Sequence, residues 1–283
     1  MLIPCYNEEG AVLDTVRDLQ EAFKEVTYTW ELITIDDGSS DATLSELEKA
    51  SDFCSQLRVV RHAKNRGYGA SLKTGLRYAT GELVAITDAD GTYPVANLPD
   101  LVERAREHDM VVGARTGDNV SYPLIRKIPK VFLKAWAQWL TGQPIPDMNS
   151  GMRVFRREVG MKFWSLYPDG FSFTTTITMA TLRRGYLVEF VPIDYAARIG
   201  SSKIQPIRDT LRFVQLIFRT GVTFAPLRVF MPMALLFALG TAVSFYFDFV
   251  RGNLAEGTLL LLMITMNISL FALLADMIDK RSA

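Results

Sequence analysis

Two aspartates one residue apart, Asp88-Ala89-Asp90, follow the apolar run Glu82–Thr87 and lead into a loop through Gly91 and Pro94. On an extended chain, carboxylates at i and i+2 point to the same side, so both can converge on one ligand. A hard divalent cation such as Mg²⁺ or Mn²⁺ takes few protein carboxylates and fills its shell with substrate phosphate oxygens. The pattern therefore predicts a divalent metal on the diphosphate of an activated substrate, with Asp90 and Asp88 as ligands. A capped, solvated turn is the plain alternative. Position decides against it, because open α/β sheets bind ligands outside the carboxyl ends of their strands.

A second acidic strand end, Asp36-Asp37-Gly38-Ser39, would read alone as a cap or Asx turn. Beside the first pair it can hydrogen-bond a base or ribose. Pro4, Tyr6, Asn7 and Glu8 end the first strand on the same edge, where Tyr6 can stack on a base and Glu8 can accept from base or sugar. Asn65-Arg66-Gly67-Tyr68-Gly69 resembles a phosphate-facing glycine loop but matches neither Walker A nor the dinucleotide fingerprint. With only two histidines, His62 and His108, a His-based zinc site or a Ser-His-Asp triad is not expected. Cys5 and Cys54 lack metal-ligand spacing and read as reduced thiols. The net charge of zero gives no general attraction to nucleic acid, and no nucleic-acid partner is expected.

These residues need a scaffold, and the first half supplies one by alternating short apolar strands with amphipathic helices. That is the pattern of an α/β, mainly parallel, helix-covered sheet. Strands are expected at Leu2–Cys5, Trp30–Ile35, Leu57–Val60, Glu82–Thr87, Met110–Val112 and Tyr186–Val191. Asn7 is placed to cap a helix carrying Leu13, Val16, Leu19, Phe23 and Val26. Asp41 opens a short helix, and Ala70–Ala79 forms another after the glycine loop. A basic, aromatic helix is expected at Leu124–Leu140. The abrupt start, Met1-Leu2-Ile3-Pro4, shows no signal peptide and predicts a first strand without its beginning.

The last third reads as membrane. Val229–Phe247 and Gly257–Ala275 carry no charged side chain, and at ~1.5 Å per residue each is about 28 Å long, close to the hydrocarbon core. The short Asp248–Glu256 connection makes them a hairpin. Arg212, Arg219, Arg228, Lys280 and Arg281 flank its open end while the loop holds only Arg251, which predicts a cytoplasmic catalytic domain. Ile207–Phe218 mixes arginines with apolar residues and is expected to lie against lipid headgroups. The expected division is residues 1–205 catalytic, 206–225 interfacial helix and 226–283 hairpin. Asn267, in mid-membrane, can bond across helices or to a second copy, so a homo-oligomer is among the expected partners.

Ile3-Pro4-Cys5-Tyr6-Asn7-Glu8-Glu9, Ile35-Asp36-Asp37-Gly38-Ser39 and Asp88-Ala89-Asp90 together resemble the inverting family 2 glycosyltransferases of GT-A fold. Gly113-Ala114-Arg115, the run Asp147–Arg153, Gly170–Phe173 and the run Arg198–Lys203 resemble a narrower branch, the dolichyl- and polyprenyl-phosphate sugar synthases. The resemblance implies that Pro4, Tyr6, Glu8, Ile35 and Asp37 bind the nucleotide, Asp88 and Ala89 touch ribose and diphosphate, and Asp90 binds the metal. It also implies that Arg115, Arg198 and Lys203, with Arg126 as a looser match, hold donor or acceptor phosphates. Thr92 stands where some relatives carry a metal-assisting glutamine. Asp147 matches an acid discussed as a base, though orienting an arginine or backbone groups is its other reading.

The expected activity is transfer of a sugar from a UDP- or GDP-linked donor to polyprenyl or dolichyl phosphate by one inverting displacement. Three alternatives stand beside it. A processive polysaccharide synthase would carry Gln-x-x-Arg-Trp, whereas the equivalent stretch here reads Thr181-Leu182-Arg183-Arg184-Gly185-Tyr186. A transferase acting on glycan, lipid or protein hydroxyls would need a base, which Asp147 could provide. A non-catalytic nucleotide-sugar-binding protein would have no reason to keep both Asp88 and Asp90.

Overall fold

The computed structural model describes residues 1–116, 127–170, 172–196 and 206–281, with the backbone alone at 127–133, 206–213, 216 and 281. Seven strands form one sheet: β1 (Leu2–Cys5), β2 (Leu32–Asp36), β3 (Leu57–Arg61), β4 (Leu83–Ile86), β5 (Met110–Ala114), β6 (Arg153–Arg156) and β7 (Val188–Pro192), in the order β3-β2-β1-β4-β6-β5-β7. β1, β2, β3 and β4 run parallel, as do β5 and β7, while β6 is antiparallel to both its neighbours. The sheet is mainly parallel, as expected, with β6 the reversed strand. β6 escapes a reading by hydrophobic period because its four residues begin and end in arginine.

Alternating side chains feed two cores, as a sheet covered on both faces requires. Ile3, Leu32, Ala85, Val111 and Val154 pack beneath α1 (Val12–Ala22), α2 (Thr43–Ser51) and α4 (Leu98–Arg104). Leu2, Ile33, Ile35, Val84, Ile86, Met110 and Phe155 pack against α3 (Tyr68–Tyr78), α6 (Arg157–Lys162) and α7 (Phe173–Arg183). Because β6 runs backwards, its entry lies at the same edge as the carboxyl ends of the other six strands. That edge collects every sequence motif in the described residues.

A third cluster joins α5 (Lys127–Thr141), α7, α8 (Pro206–Phe224) and the start of α9 (Pro226–Arg251) through Ala137, Leu140, Met179, Leu182, Ile217 and Val229. α8 buries Ile217 there and exposes Val214 and Phe218. It is thus more than a surface helix, for one face belongs to the domain core. α9 and α10 (Glu256–Arg281) pack against each other and expose most of their large apolar side chains. Both are long and apolar enough to cross a membrane.

Arginines tie the hairpin and the end of α8 to the domain. Arg184 Nη2 lies 2.7 Å from Asp279 Oδ1, and Arg183 Nε donates to the Phe224 carbonyl at 2.9 Å. Arg228 Nη1 donates to the Trp139 and Leu140 carbonyls at 2.6 and 3.0 Å, meeting the negative end of α5.

Candidate active site

The site is built where the strands stop. At the end of β1, residues 7–9 clasp residues 39–43 beyond β2. Asn7 N donates to Ser39 Oγ at 3.0 Å, Ser40 N to Asn7 Oδ1 at 2.9 Å, Glu8 N to Thr43 Oγ1 at 2.8 Å and Ala42 N to Glu9 Oε2 at 2.8 Å. Asn7 takes the left-handed conformation, φ 56°, that Asn tolerates. It is therefore a loop clasp and not the helix cap expected. α1 starts at Val12 after Ala11, with no side-chain cap. α1 also ends at Ala22, so Val26 lies outside it. The clasp leaves Pro4, Tyr6 and Glu8 half-buried along the edge.

Asp37 sits 3% exposed at the end of β2. Its Oδ1 accepts from Arg66 N at 2.9 Å and pairs with His62 Nδ1 at 2.6 Å, and its Oδ2 accepts from Gly67 N at 2.7 Å. A carboxylate only accepts, so Nδ1 carries the proton, and Thr74 Oγ1 lies 2.9 Å from Nε2. Asp36 is fully buried, its Oδ1 accepting from Ser39 N at 3.0 Å and its Oδ2 lying 3.3 Å from Arg61 Nε. Ile35 is wholly buried, and a Cβ on Gly75 would stand 2.9 Å from its Cδ1. Its side chain lies in the core, so any contact it makes with a base must come from its backbone. His62 belongs to no motif, and its one sequence signal is its place directly after a strand on the motif-bearing edge.

The glycine loop is not a phosphate cradle on this structure. Gly69 N donates to the Gly170 carbonyl at 3.1 Å and Ala70 N to the Asp169 carbonyl at 2.8 Å. A Cβ on Gly69 would collide with the Pro168 carbonyl. Lys73 pairs with Asp169 across the same seam. The glycines serve close backbone approach, which fastens the start of α3 to the loop before α7.

β4 ends at Ile86, and the chain is bent at Ala89–Gly91. Asp88 and Asp90 are therefore not on an extended strand, and each has its own anchor. Asp88 Oδ1 accepts from Tyr68 Oη at 3.1 Å, and its carboxylate lies against Gly151, where a Cβ would stand 2.8 Å from Oδ2. Asp90 is 7% exposed and its Oδ1 accepts from Thr92 Oγ1 at 2.6 Å and Thr92 N at 3.2 Å. Thr92 thus orients Asp90. Ala89 is buried, its carbonyl accepting from Thr15 Oγ1 at 3.2 Å. Burial and the nearby Asp88 charge push the Tyr68 and Tyr93 hydroxyls up, which keeps both protonated. Tyr93 Oη accepts from Gly151 N at 2.7 Å.

Among the described residues no three His, Cys, Asp or Glu side chains gather as a metal cage. Oriented carboxylates at the strand edge fit a hard cation that draws its other ligands from substrate oxygens and water. Asp90 with Asp88 is such a donor set.

Arg115, just past β5, forks onto Asp147, with Nε to Oδ2 at 2.7 Å and Nη2 to Oδ1 at 3.0 Å. Arg115 N and Asn149 N add bonds to the same carboxylate at 3.1 and 3.0 Å. Burial alone would raise the Asp147 pKa, but the Arg115 bonds and charge outweigh it and hold the acid below its usual range. The Arg115 guanidinium also lies 5.2 Å from the Tyr195 ring centre. Beneath this pair, Arg153 is wholly buried. It donates to the Ser150 carbonyl at 3.2 Å, the Thr174 carbonyl at 3.0 Å and Thr178 Oγ1 at 2.9 Å, and burial lowers its pKa to about 10. Arg153 thereby stitches the Asp147–Gly151 loop to α7. Arg153 closes the Asp147–Arg153 motif, and its structural role emerges only in the fold. Arg126, Arg198 and Lys203 lie outside the described residues.

Residues 1–164 match the model of glycosyl transferase family 2, and residues 225–280 match that of the GtrB C-terminal hairpin. The chain is 28% identical over 245 residues to undecaprenyl-phosphate 4-deoxy-4-formamido-L-arabinose transferase from Salmonella choleraesuis, covering 85% of this chain and 72% of that one. The same enzyme from Salmonella newport matches equally. Among solved structures, glucosyl-3-phosphoglycerate synthase from Mycobacterium tuberculosis, with Mn²⁺, UDP-glucose and phosphoglyceric acid, superposes with a TM-score of 0.59 at 18% identity over 78% of each chain. Its complex with Mg²⁺ and UDP gives 0.60 at 18% identity over 77% of each. At that identity the likeness is one of fold.

Proposed function

Because this chain belongs to glycosyl transferase family 2, we propose that it moves a sugar from a nucleotide-sugar to a polyprenyl phosphate, giving a lipid-phosphate-linked sugar. The observation that carries this reading is one sheet edge holding Asp88, Asp90 and the Arg115–Asp147 fork, on a domain braced to an apolar hairpin. The undecaprenyl-phosphate acceptor in the relatives' names supports a polyprenyl chain here.

The proposed step is one displacement at the anomeric carbon. An oxygen of the lipid phosphate forms the new bond from the opposite face as the bond to the nucleoside diphosphate breaks, and the departing diphosphate keeps the electron pair. A Mg²⁺ or Mn²⁺ ion held by Asp90, with Asp88 beside it, would supply Lewis-acid stabilisation of that leaving group. Asp88 is pinned by Tyr68 and Gly151, which suits a contact to ribose or diphosphate. Tyr6, Glu8, Pro4 and Asp37 line the nucleotide end.

The acceptor needs no general base, since a phosphate monoester has a second pKa of about 6 and is already anionic near neutrality. This agrees with Asp147, whose lowered pKa and full set of donors suit it to aim Arg115 and not to take up a proton. Arg115 would offset the repulsion between anionic donor and anionic acceptor, helped by Arg126, Arg198 and Lys203. The hairpin confines the enzyme to the plane of its lipid acceptor. Arg219 and Arg228 at the hairpin root, against the lone Arg251 at its turn, support a catalytic domain on the cytoplasmic face. The exposed apolar residues of α8 support contact with membrane lipids. Asn267, exposed on α10, is the group through which a second copy would bond.

The test incubates the purified chain with labelled UDP- and GDP-sugars, Mg²⁺ or Mn²⁺ and undecaprenyl phosphate. Label is expected in the organic phase. Label confined to water-soluble or polymeric product would refute the lipid-phosphate acceptor.

A further inference from the structure

An ionised carboxylate offers about four acceptor positions, two on each oxygen. Among the described residues Asp37 meets three donors. His62 Nδ1 and Arg66 N both fall on Oδ1, at 2.6 and 2.9 Å, and Gly67 N falls on Oδ2 at 2.7 Å. Oδ1 is therefore full, and about one position remains, on Oδ2. The arrangement is fixed. His62 is 7% exposed, with Thr74 Oγ1 2.9 Å from its other nitrogen, and the two backbone donors come from the seam that locks Gly67 and Gly69 against residues 168–170.

The two candidate bases differ in what they ask of an acid. Guanine presents N1–H and N2–H side by side, a pair that fits both oxygens of one carboxylate. Uracil presents a single N3–H between two carbonyls. A carboxylate with one oxygen saturated can serve the single donor and cannot complete the fork. The second guanine donor would then be left without this partner, which costs roughly ten- to hundred-fold in affinity.

We propose that His62, by filling Oδ1 of Asp37, makes that acid a single-acceptor reader and selects a uracil nucleotide over a guanine nucleotide. His62 acts through Asp37 and is a positioning residue. The inference rests on the reading that this edge binds a nucleoside diphosphate-sugar.

Calorimetric titration of the full chain in detergent with UDP and with GDP, each with Mn²⁺, tests it. UDP is expected to bind at least ~10-fold tighter. Equal or tighter binding of GDP overturns the inference and leaves the transferase reading intact, whereas binding of neither overturns both. In His62→Ala, Oδ1 is released, and the preference is expected to narrow to under about three-fold. His62→Asn places an amide N–H where Nδ1–H stood, and is expected to keep the preference. A folded His62→Ala protein that discriminates as strongly as the parent overturns the role of His62. If that variant does not fold, the parent comparison and the Asn variant still decide.

Discussion

Asp37 draws its donors from residues 62, 66 and 67, Arg115 meets an acid at 147, and Asp88 rests on residues 68 and 151. In the hairpin, Thr241, Thr265, Asn267 and Ser269 each bond the carbonyl four residues back. The strand edge satisfies its polar groups through tertiary structure, while these hairpin groups bond within their own helix, with Thr241–Thr265, Ser244–Thr258 and Thr258–Asp248 also bridging the two helices. The reason is the surrounding medium. A hydrocarbon layer offers no partners, so a spanning helix must solve its own polar bookkeeping. An edge that binds a diphosphate needs carboxylates held in one geometry, and only converging segments can hold them. Substitutions at the edge should therefore disturb chemistry, and substitutions in the hairpin should disturb little.

The largest effect is expected at Asp90, the proposed metal ligand. Asp90→Ala should lower turnover about 10³-fold or more while circular dichroism and melting temperature stay close to the parent. Undiminished turnover would remove the edge from the chemistry. Gly151→Ala comes next, because the new methyl would press on the Asp88 carboxylate from 2.8 Å. Its kcat/KM should fall roughly 10- to 100-fold, read by organic-phase assay, since displacement of a site group by about 1 Å is that costly.

Asp147→Asn sharpens the comparison through pH. The folded acid titrates below its unfolded value of about 3.9, so its stabilising effect is present above that pH and is lost as pH falls through the folded value. The variant should thus unfold more easily than the parent at pH 7, and the gap should narrow as pH falls below the unfolded value. Activity should drop about ten-fold through a loosened Arg115. An acid limb between pH 5 and 8 that belongs to Asp147, absent from the variant, would restore this residue as a base.

A smaller effect is expected where the two regions meet. A double-mutant cycle of Arg184→Ala and Asp279→Ala should give a coupling of about 0.5–3 kcal/mol in thermal unfolding in detergent. Zero coupling would mean that the hairpin is tethered and not braced. The smallest effect is expected at Asn267→Leu, within about 0.6 kcal/mol, because its amide bonds its own helix. A larger loss, accompanied by a change in sedimentation, would point to a second copy.

The amino-acid sequence alone determined what depends on local pattern. Apolar runs ending in Asp37 and Asp88 gave strands and their binding edge, because side-chain period and strand length are properties of short segments. The charge-free stretches of α9 and α10 gave the hairpin for the same reason, since span length follows from rise per residue. Tertiary structure decided what depends on distant partners. β6 was invisible because four residues framed by arginine carry no period, and its reversal is what brings Gly151 beneath Asp88. His62 stands in no motif, and only the fold seats it against Asp37 with Thr74 behind it. Asp147 kept two readings until Arg115, 32 positions away, filled its oxygens. A residue's type fixes which bonds it can make, and only the closed fold fixes which of them are already taken.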